Sequence, residues 1–296
     1  MEPTERIVSE APTDDVTALA AKFGALKAHL RGLERVLVAF SGGVDSTLLA
    51  AVAYDVLGDQ AVAVTADSPS IPRRELREAL ALAAQIGIPH RLVPTYEMDD
   101  PNYRANPANR CYFCKSELFA VLGRMAAAEG FAHTVYGAIS DDLGDHRPGM
   151  QAAREHQVHY PLAAAGLSKD EVRQLSARYG LPTVDKPSFA CLASRIPYGQ
   201  EVTPAKLLQV EQAEDILAAE GFRQFRVRHH GEIARIEVPG ADLARLVAPD
   251  VAARVHDGIQ ALGFPYVAVD LRGFRSGSMN EGLRPDEQLV PLASLV

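Results

Sequence analysis

Cysteine is scarce in this 296-residue chain: three residues in all. An odd and small count excludes a disulfide framework and fits a reducing compartment, so a cytoplasmic location is expected. An excess of positive charge is missing too. The 30 Lys and Arg residues stand against 38 Asp and Glu, a formal charge of −8, which argues against broad nonspecific nucleic-acid binding. No apolar run reaches the ~18 residues that a membrane span needs. The opening MEPTERIVSEAPTDD has no basic region followed by an apolar core, so no secretory signal is read there. Internal repeats, low-complexity runs and a Walker A spacing are absent as well. What remains, 47% hydrophobic and 23% charged, is the composition of an ordinary globular enzyme.

The length exceeds the usual single core, so one large domain or two are expected. Residues 1–15 read as a flexible leader. From Val16 to Leu33 the apolar positions Leu19, Phe23, Leu26, Leu30 and Leu33 recur at helical spacing. Then apolar runs alternate with helical patterns: strands at 35–40, 61–67, 90–96 and 133–140, and helices at 47–58, 73–87, 115–129 and 150–158. Strand and helix in alternation predict a doubly wound α/β parallel sheet over 16–199. Beyond about residue 200 the texture changes to a helix (204–220), a paired-strand pattern (225–239), a second helix (241–263) and a strand (266–274). That order predicts a smaller C-terminal α+β domain, 200–296.

The sharpest local signal is Ser41-Gly42-Gly43-Val44-Asp45-Ser46, between a buried strand and a helix. There, free backbone N–H groups and the helix dipole favour an anion. Glycine lets the backbone approach a phosphate, and Ser41 and Ser46 add hydroxyl donors. Asp45 is an odd residue to aim at an anion unless a divalent cation such as Mg²⁺ lies between them. The other reading is a plain strand-to-helix turn. The second strand end, with Thr65 and Asp67, lies where such folds bring a base to the carboxyl edge of the sheet, although a capping Asp in a Pro-containing loop reads equally naturally. The fourth strand end, with Gly137, gathers Asp141, Asp142, Asp145 and Arg147 at the same edge. That set is either a nucleotide or Mg²⁺ site near Asp45 or a solvated turn.

The Ser41–Ser46 segment resembles the PP-loop of the ATP pyrophosphatases, a group that includes GMP synthetase, NAD synthetase and several sulfur-inserting enzymes. The resemblance implies ATP cleavage between the α- and β-phosphates and adenylation of a substrate oxygen. Together with "NRCYFCK" (109–115), "DDLGDHRPG" (141–149) and "CLASRIPYG" (191–199), it makes the chain similar to the LarE family. Those are the ATP-dependent sulfur transferases of nickel-pincer cofactor synthesis. The resemblance extends over nearly the whole chain, including "FRVRHHGEIARIEVP". It implies adenylation of a carboxylate of pyridinium-3,5-biscarboxylic acid mononucleotide, then displacement of AMP by sulfur. It also implies nickel-insertion and carboxylase/hydrolase pathway partners and a homo-oligomer, a hexamer by family habit.

Cys111 and Cys114 by themselves read as a redox couple, half of a zinc site completed by His133 or His146, or a coincidence. With Cys191 they match the three-cysteine type of the resembled family, which implies a 4Fe–4S cluster with one iron left open for a transferable sulfide. Another branch of that family implies instead that Cys191 gives up its own sulfur, and the runner-up resemblance is to PP-loop tRNA thiolases, some of which also hold a cluster on a CxxC pair and a distant cysteine. Lys115 and Arg195, each near a cysteine in sequence, are expected to favour a thiolate. Arg226 and Arg228 alternate along a strand and so share a face. With Ser194, Arg195 and Glu214 they are expected to hold the substrate phosphate, the plain alternative being a solvated strand face. His229 and His230 read as ordinary surface histidines.

Overall fold

The structure, a computed structural model, describes residues 13–143, 148–187, 190–275 and 278. The expected leader lies outside the described residues up to residue 12, and helix α1 already begins at Thr13, running to Leu33.

Four short strands form the first sheet: β1 (Val36–Ala39), β2 (Ala61–Asp67), β3 (His90–Pro94) and β4 (His133–Tyr136). Their order is β3-β2-β1-β4, and every pairing is parallel. β1 is buried at all four positions because helices cover both faces. α1, α2 (Val44–Leu57) and α3 (Arg73–Ile86) close one core around Leu26, Leu30, Leu48 and Val52. After a single turn α4 (Pro101–Arg104), helix α5 (Arg110–Glu129) packs Phe119 and Leu122 against the opposite face, with α6 (Pro148–Glu155) beside it.

Two differences from the sequence reading matter for the site. The helix expected from Lys115 begins five residues earlier, so both cysteines of the CxxC pair lie in the first turns of α5. A helix was also missed. After the short α7 (Pro161–Ala164), α8 spans Lys169–Arg178, opened by a capping box between Ser168 and Glu171. Its few large apolar residues hide the period, but Val172 and Leu175 reach the core.

Helix α9 (Pro204–Ala219), capped by Thr203, leads into a second sheet. β5 (Arg226–His230) and β6 (Ile233–Glu237) form an antiparallel hairpin, and β7 (Tyr266–Val269) adds parallel to β6. The helix expected over 241–263 is broken into α10 (Leu243–Leu246) and α11 (Pro249–Ala261), because Pro249 cannot continue a helix but suits the first position of a new one. Phe222, Phe225, Val227, Ile236, Val255 and Phe264 form this sheet's own core. Among the described residues no helix is long and apolar enough to cross a membrane.

Candidate active site at the carboxyl edge of the first sheet

The loop after β1 is bound to itself. Ser46 Oγ accepts from the Ser41 backbone N–H at 3.2 Å, meets Ser41 Oγ at 3.1 Å and donates to the Gly43 carbonyl at 3.2 Å. Gly42 has φ +70°, and a Cβ there would meet the Ala79 Cα at 3.1 Å, so the position demands glycine twice over. Gly137, just past β4, is required by proximity instead. A Cβ on it would stand 3.0 Å from the Ser46 nitrogen and 3.2 Å from the Asp45 carbonyl carbon. Val44 is buried beneath the loop.

Two lysines that sequence reasoning passed over reach this loop. Lys169 Nζ, at the start of α8, holds both Asp45 carboxylate oxygens at 2.8 and 2.7 Å. Desolvation nevertheless raises the Asp45 pKa, against the pull of that ammonium. Lys186 Nζ donates to the Gly42 carbonyl at 3.2 Å and pairs with Glu75 at 2.8 Å and Glu78 at 2.9 Å. The first of these was findable from the Ser168-x-x-Glu171 capping signature, and the second lies five residues before Cys191.

The expected acidic cluster assembles in part. Asp141 accepts from the Lys169 backbone N–H at 3.2 Å, while Asp142 accepts from Ile139 N–H at 3.0 Å and adds its charge to the field on Asp45. Arg147 and Asp145 lie outside the described residues, as does His146. Of the two β2 residues, Thr65 turns inward. Its hydroxyl is buried, donating to the Phe40 carbonyl at 2.8 Å and meeting His90 Nε2 at 2.8 Å. Asp67 is exposed and paired with Arg73, whose guanidinium also holds the carbonyls of Ser68 and Ile71.

Next to this edge lies the cysteine pocket. Cys114 and Cys191 pack against one small cluster with Tyr103, Leu192, Ile196 and Val202. Arg110 Nη1 donates to the Ala193 carbonyl at 3.0 Å and to Asn106 Oδ1, fastening the start of α5 to the Cys191 loop. Asn106, at φ +56°, ties the same loop through donations to the carbonyls of Ile196, Pro197 and Gln200. Leu192 N–H reaches the Ser70 carbonyl at 2.8 Å, linking the loop to the end of β2.

All three cysteines are free. Desolvation pushes the Cys114 thiol far above its ordinary pKa, with Lys115 opposing and Glu97, Cys191 and Cys111 adding to the rise. Cys111 exposes surface, but protein surrounds it closely enough that desolvation raises it too, with Cys191 adding and Arg110 and Lys115 opposing. Cys191 thus contributes to the rise at both members of the CxxC pair. Among the described residues, however, no three His, Cys, Asp or Glu side chains are gathered closely enough to hold a metal ion. His133 meets the His159 ring edge-on at the amino end of β4, away from the cysteines, which removes it as a partner of the CxxC pair. Lys115 stands 5.1 Å from the centre of the Tyr136 ring, with its ammonium favoured by Tyr136 and the cysteines.

Beyond the cysteines sits a packed arginine–carboxylate array. Arg195 is fully buried, in a two-point bond to Glu214 at 2.8 and 3.1 Å, and its Nη1 donates to the carbonyls of Ala190 and Cys191 and to Ser194 Oγ. Glu214 also accepts the Val227 backbone N–H at 3.1 Å. Arg228 binds the Ser194 carbonyl at 2.9 Å, Glu237 at 2.8 Å and Ser278 Oγ at 2.8 Å. Arg226, on the same strand face as foreseen, lies against Phe274 at 5.1 Å. Burial, with Arg195 second, lowers its pKa to about 10. His229 is buried against Phe264 and Gln209, a core position where the sequence suggested surface.

A parallel sheet whose first strand ends in SGGVDS, with cations around that turn, defines a PP-loop ATP-using enzyme of the α/β class. The comparisons agree. Residues 20–111 match the NAD synthase family model. A protein of Caulobacter named tRNA-specific 2-thiouridylase is 28% identical over 57% of this chain and 50% of its own length. A Synechocystis protein of uncharacterized function is 49% identical, over 90% of this chain and 99% of its own. The pyridinium-3,5-bisthiocarboxylic acid mononucleotide synthase of Lactiplantibacillus plantarum is 39% identical, over 90% of this chain and 97% of its own. The chain therefore belongs to the LarE family of PP-loop, ATP-using, sulfur-transferring enzymes.

Proposed function

We propose that the protein activates a carboxylate of pyridinium-3,5-biscarboxylic acid mononucleotide with ATP and replaces one of its oxygens by sulfur. The observation that carries the reading is the adjacency of two sites at one sheet edge: Lys186, five residues before Cys191, binds the Gly42 carbonyl of the PP-loop, and Leu192 N–H binds Ser70 just after the neighbouring β2. The full-length similarity to a synthase of the bisthiocarboxylic acid product supports the choice of substrate.

In the first stage a carboxylate oxygen attacks the α-phosphorus, and the bond to the β-phosphate bridging oxygen breaks to release pyrophosphate. Ser41, Gly42, Gly43, Val44, Asp45 and Ser46 form the pyrophosphate cradle, with Lys186 beside it. Thr65, Asp67, Gly137, Asp141 and Arg147 are assigned to the nucleotide. Asp45 is suited to Mg²⁺, since its desolvated carboxylate already demands a cation; the ion would neutralise polyphosphate charge. In the second stage a sulfur nucleophile adds to the acyl carbon, and AMP leaves with the electron pair of the C–O bond. A free carboxylate lacks such a leaving group, which is why adenylation must come first.

Arg195 is assigned to positioning, because its Nη1 holds the Cys191 backbone carbonyl. Arg226 is assigned to the substrate phosphate, and Arg228, Ser194 and Glu214, whose polar atoms are engaged with protein partners, are assigned to holding that site in place. A desolvated guanidinium beside Arg195 gains from an anion. By this division residues 16–199 do the nucleotide and sulfur chemistry, and residues 200–296 serve substrate binding and oligomer contacts. A reducing cytoplasm suits the three free thiols.

Cys111, Cys114 and Cys191 are the residues assigned to a 4Fe–4S cluster, supported by their shared pocket. Their present arrangement is looser than a metal site, so loading requires the Cys191 loop and the start of α5 to close together. When bound, such a cluster supplies an open iron that carries sulfide. Anaerobic purification with iron and sulfide, followed by turnover assays, tests this. Repeated turnover with an intact Cys191 is expected; at most one sulfur per chain, with mass lost at Cys191, would assign the sulfur to the cysteine itself.

A further inference from the structure

The two lysines at the PP-loop are held in different ways, and the difference suggests different jobs. Lys186 is fixed from three sides by the Gly42 carbonyl, Glu75 and Glu78, and its side chain retains 15% of its surface. Lys169 has its ammonium on a single carboxylate, that of Asp45, and keeps 31% of its side-chain surface. Its backbone is anchored, as the first residue of α8, by the capping box and by Asp141. The chain is therefore pinned at Cα and free to swing at the tip.

Asp45 lies in the first turn of α2, at the place where an anion should sit, and its carboxylate has lost much of its water. Left without a cation it would both repel a polyphosphate and remain undercompensated. Mg²⁺ binds a carboxylate oxygen at about 2.0–2.1 Å, and Lys169 now holds both Asp45 oxygens, so the metal must take at least one of them from the ammonium. We propose that Lys169 is a counter-ion placeholder. It neutralises Asp45 in the empty enzyme, is displaced when Mg²⁺ arrives with the nucleotide, and its freed ammonium moves onto the polyphosphate. This rests on the ATP reading above. It adds a positioning residue from α8, outside every motif of the sequence analysis, and makes metal and lysine competitors for one carboxylate.

The test is nucleotide binding, not turnover. Titration calorimetry with the non-cleavable α,β-methylene-ATP, at a series of Mg²⁺ concentrations, gives the Mg²⁺ needed for half-maximal binding. In Lys169→Met that concentration should fall about three- to tenfold, the worth of a partly exposed ion pair, while saturating affinity for the analogue weakens. Lys169→Arg should keep the wild-type Mg²⁺ requirement. Lys22→Met, which removes the partner of Glu171 on the same helix, should leave both values alone and thus report on α8 folding. An unchanged or raised Mg²⁺ requirement in Lys169→Met, with wild type binding normally, overturns the placeholder and spares the ATP reading. Failure of wild type to bind the analogue at any Mg²⁺ concentration overturns both.

Discussion

The two charged regions of the molecule are built on opposite plans. At the PP-loop the pair on Asp45 is partly exposed: Asp45 and Lys169 have side-chain exposures of 26% and 31%. In the arginine array the pairs are sealed, with Arg195 and Glu214 at 0% and 3% and Arg228 and Glu237 at 6% and 0%. An exposed pair is worth little and opens easily. A buried pair contributes little net stability over an apolar replacement, but removing one member leaves a charge stranded. The first plan suits a place where ligand ions come and go. The second suits a scaffold that holds the Cys191 loop, β5 and α9 in one relation.

That contrast is open to experiment. The largest effect is expected from Glu214→Ala, which strands Arg195 and leaves the Val227 N–H without its acceptor. Urea denaturation should show a loss of about 3–5 kcal/mol, with Glu214→Gln recovering part of it. Gly137→Ala comes next. Its new methyl group would push on the Ser46 nitrogen, so nucleotide binding should weaken by about tenfold or more, with stability falling by about 1–3 kcal/mol from the overpacking.

Arg226→Gln is expected to raise the substrate KM by about tenfold, the loss of one charge-assisted contact, while stability holds or rises, since it removes a desolvated cation. The smallest shift belongs to Asp45→Asn. The folded-state pKa of Asp45 is raised, so the native form binds that proton more tightly than the unfolded chain. The associated stability is present below the ordinary carboxylate range and lost as pH rises through the folded value. At pH 7 the substitution should therefore stabilise by up to about 1 kcal/mol while pyrophosphate release disappears. A loss of stability in Asp45→Asn would break the comparison, for it would make the PP-loop pair a scaffold as well.

Much of this was legible in the residues. The alternation of β1 to β4 with helices is written in apolar runs such as Arg35–Phe40, and the SGGVDS turn announces itself by position. Period two put Arg226 and Arg228 on one face. Other parts were hidden for identifiable reasons. Helix α8 carries too few large apolar residues for its period to be seen, so Lys169 went unnoticed. Cys111 and Cys114 read as a loop because a CxxC pair has no helical signature, yet they open α5. Asn106 and Arg110 look like loop polars in the sequence. Their role as ties appears only once the 190–200 segment folds back over them.

By itself the sequence determined the sheet, the phosphate turn and the family, because hydrophobic period, glycine placement and motif order are local properties written in consecutive residues. The tertiary structure decided which charges face which. Lys169 meets Asp45 across 124 positions, Arg110 reaches Ala193 across 83, and Arg195 finds Glu214 on another helix. Partnership between distant side chains depends on how elements pack, and no spacing rule along the chain encodes it. The CxxC pair and Cys191 obey the same limit: packing alone brings Cys114 and Cys191 into one pocket, and no spacing along the chain announces it.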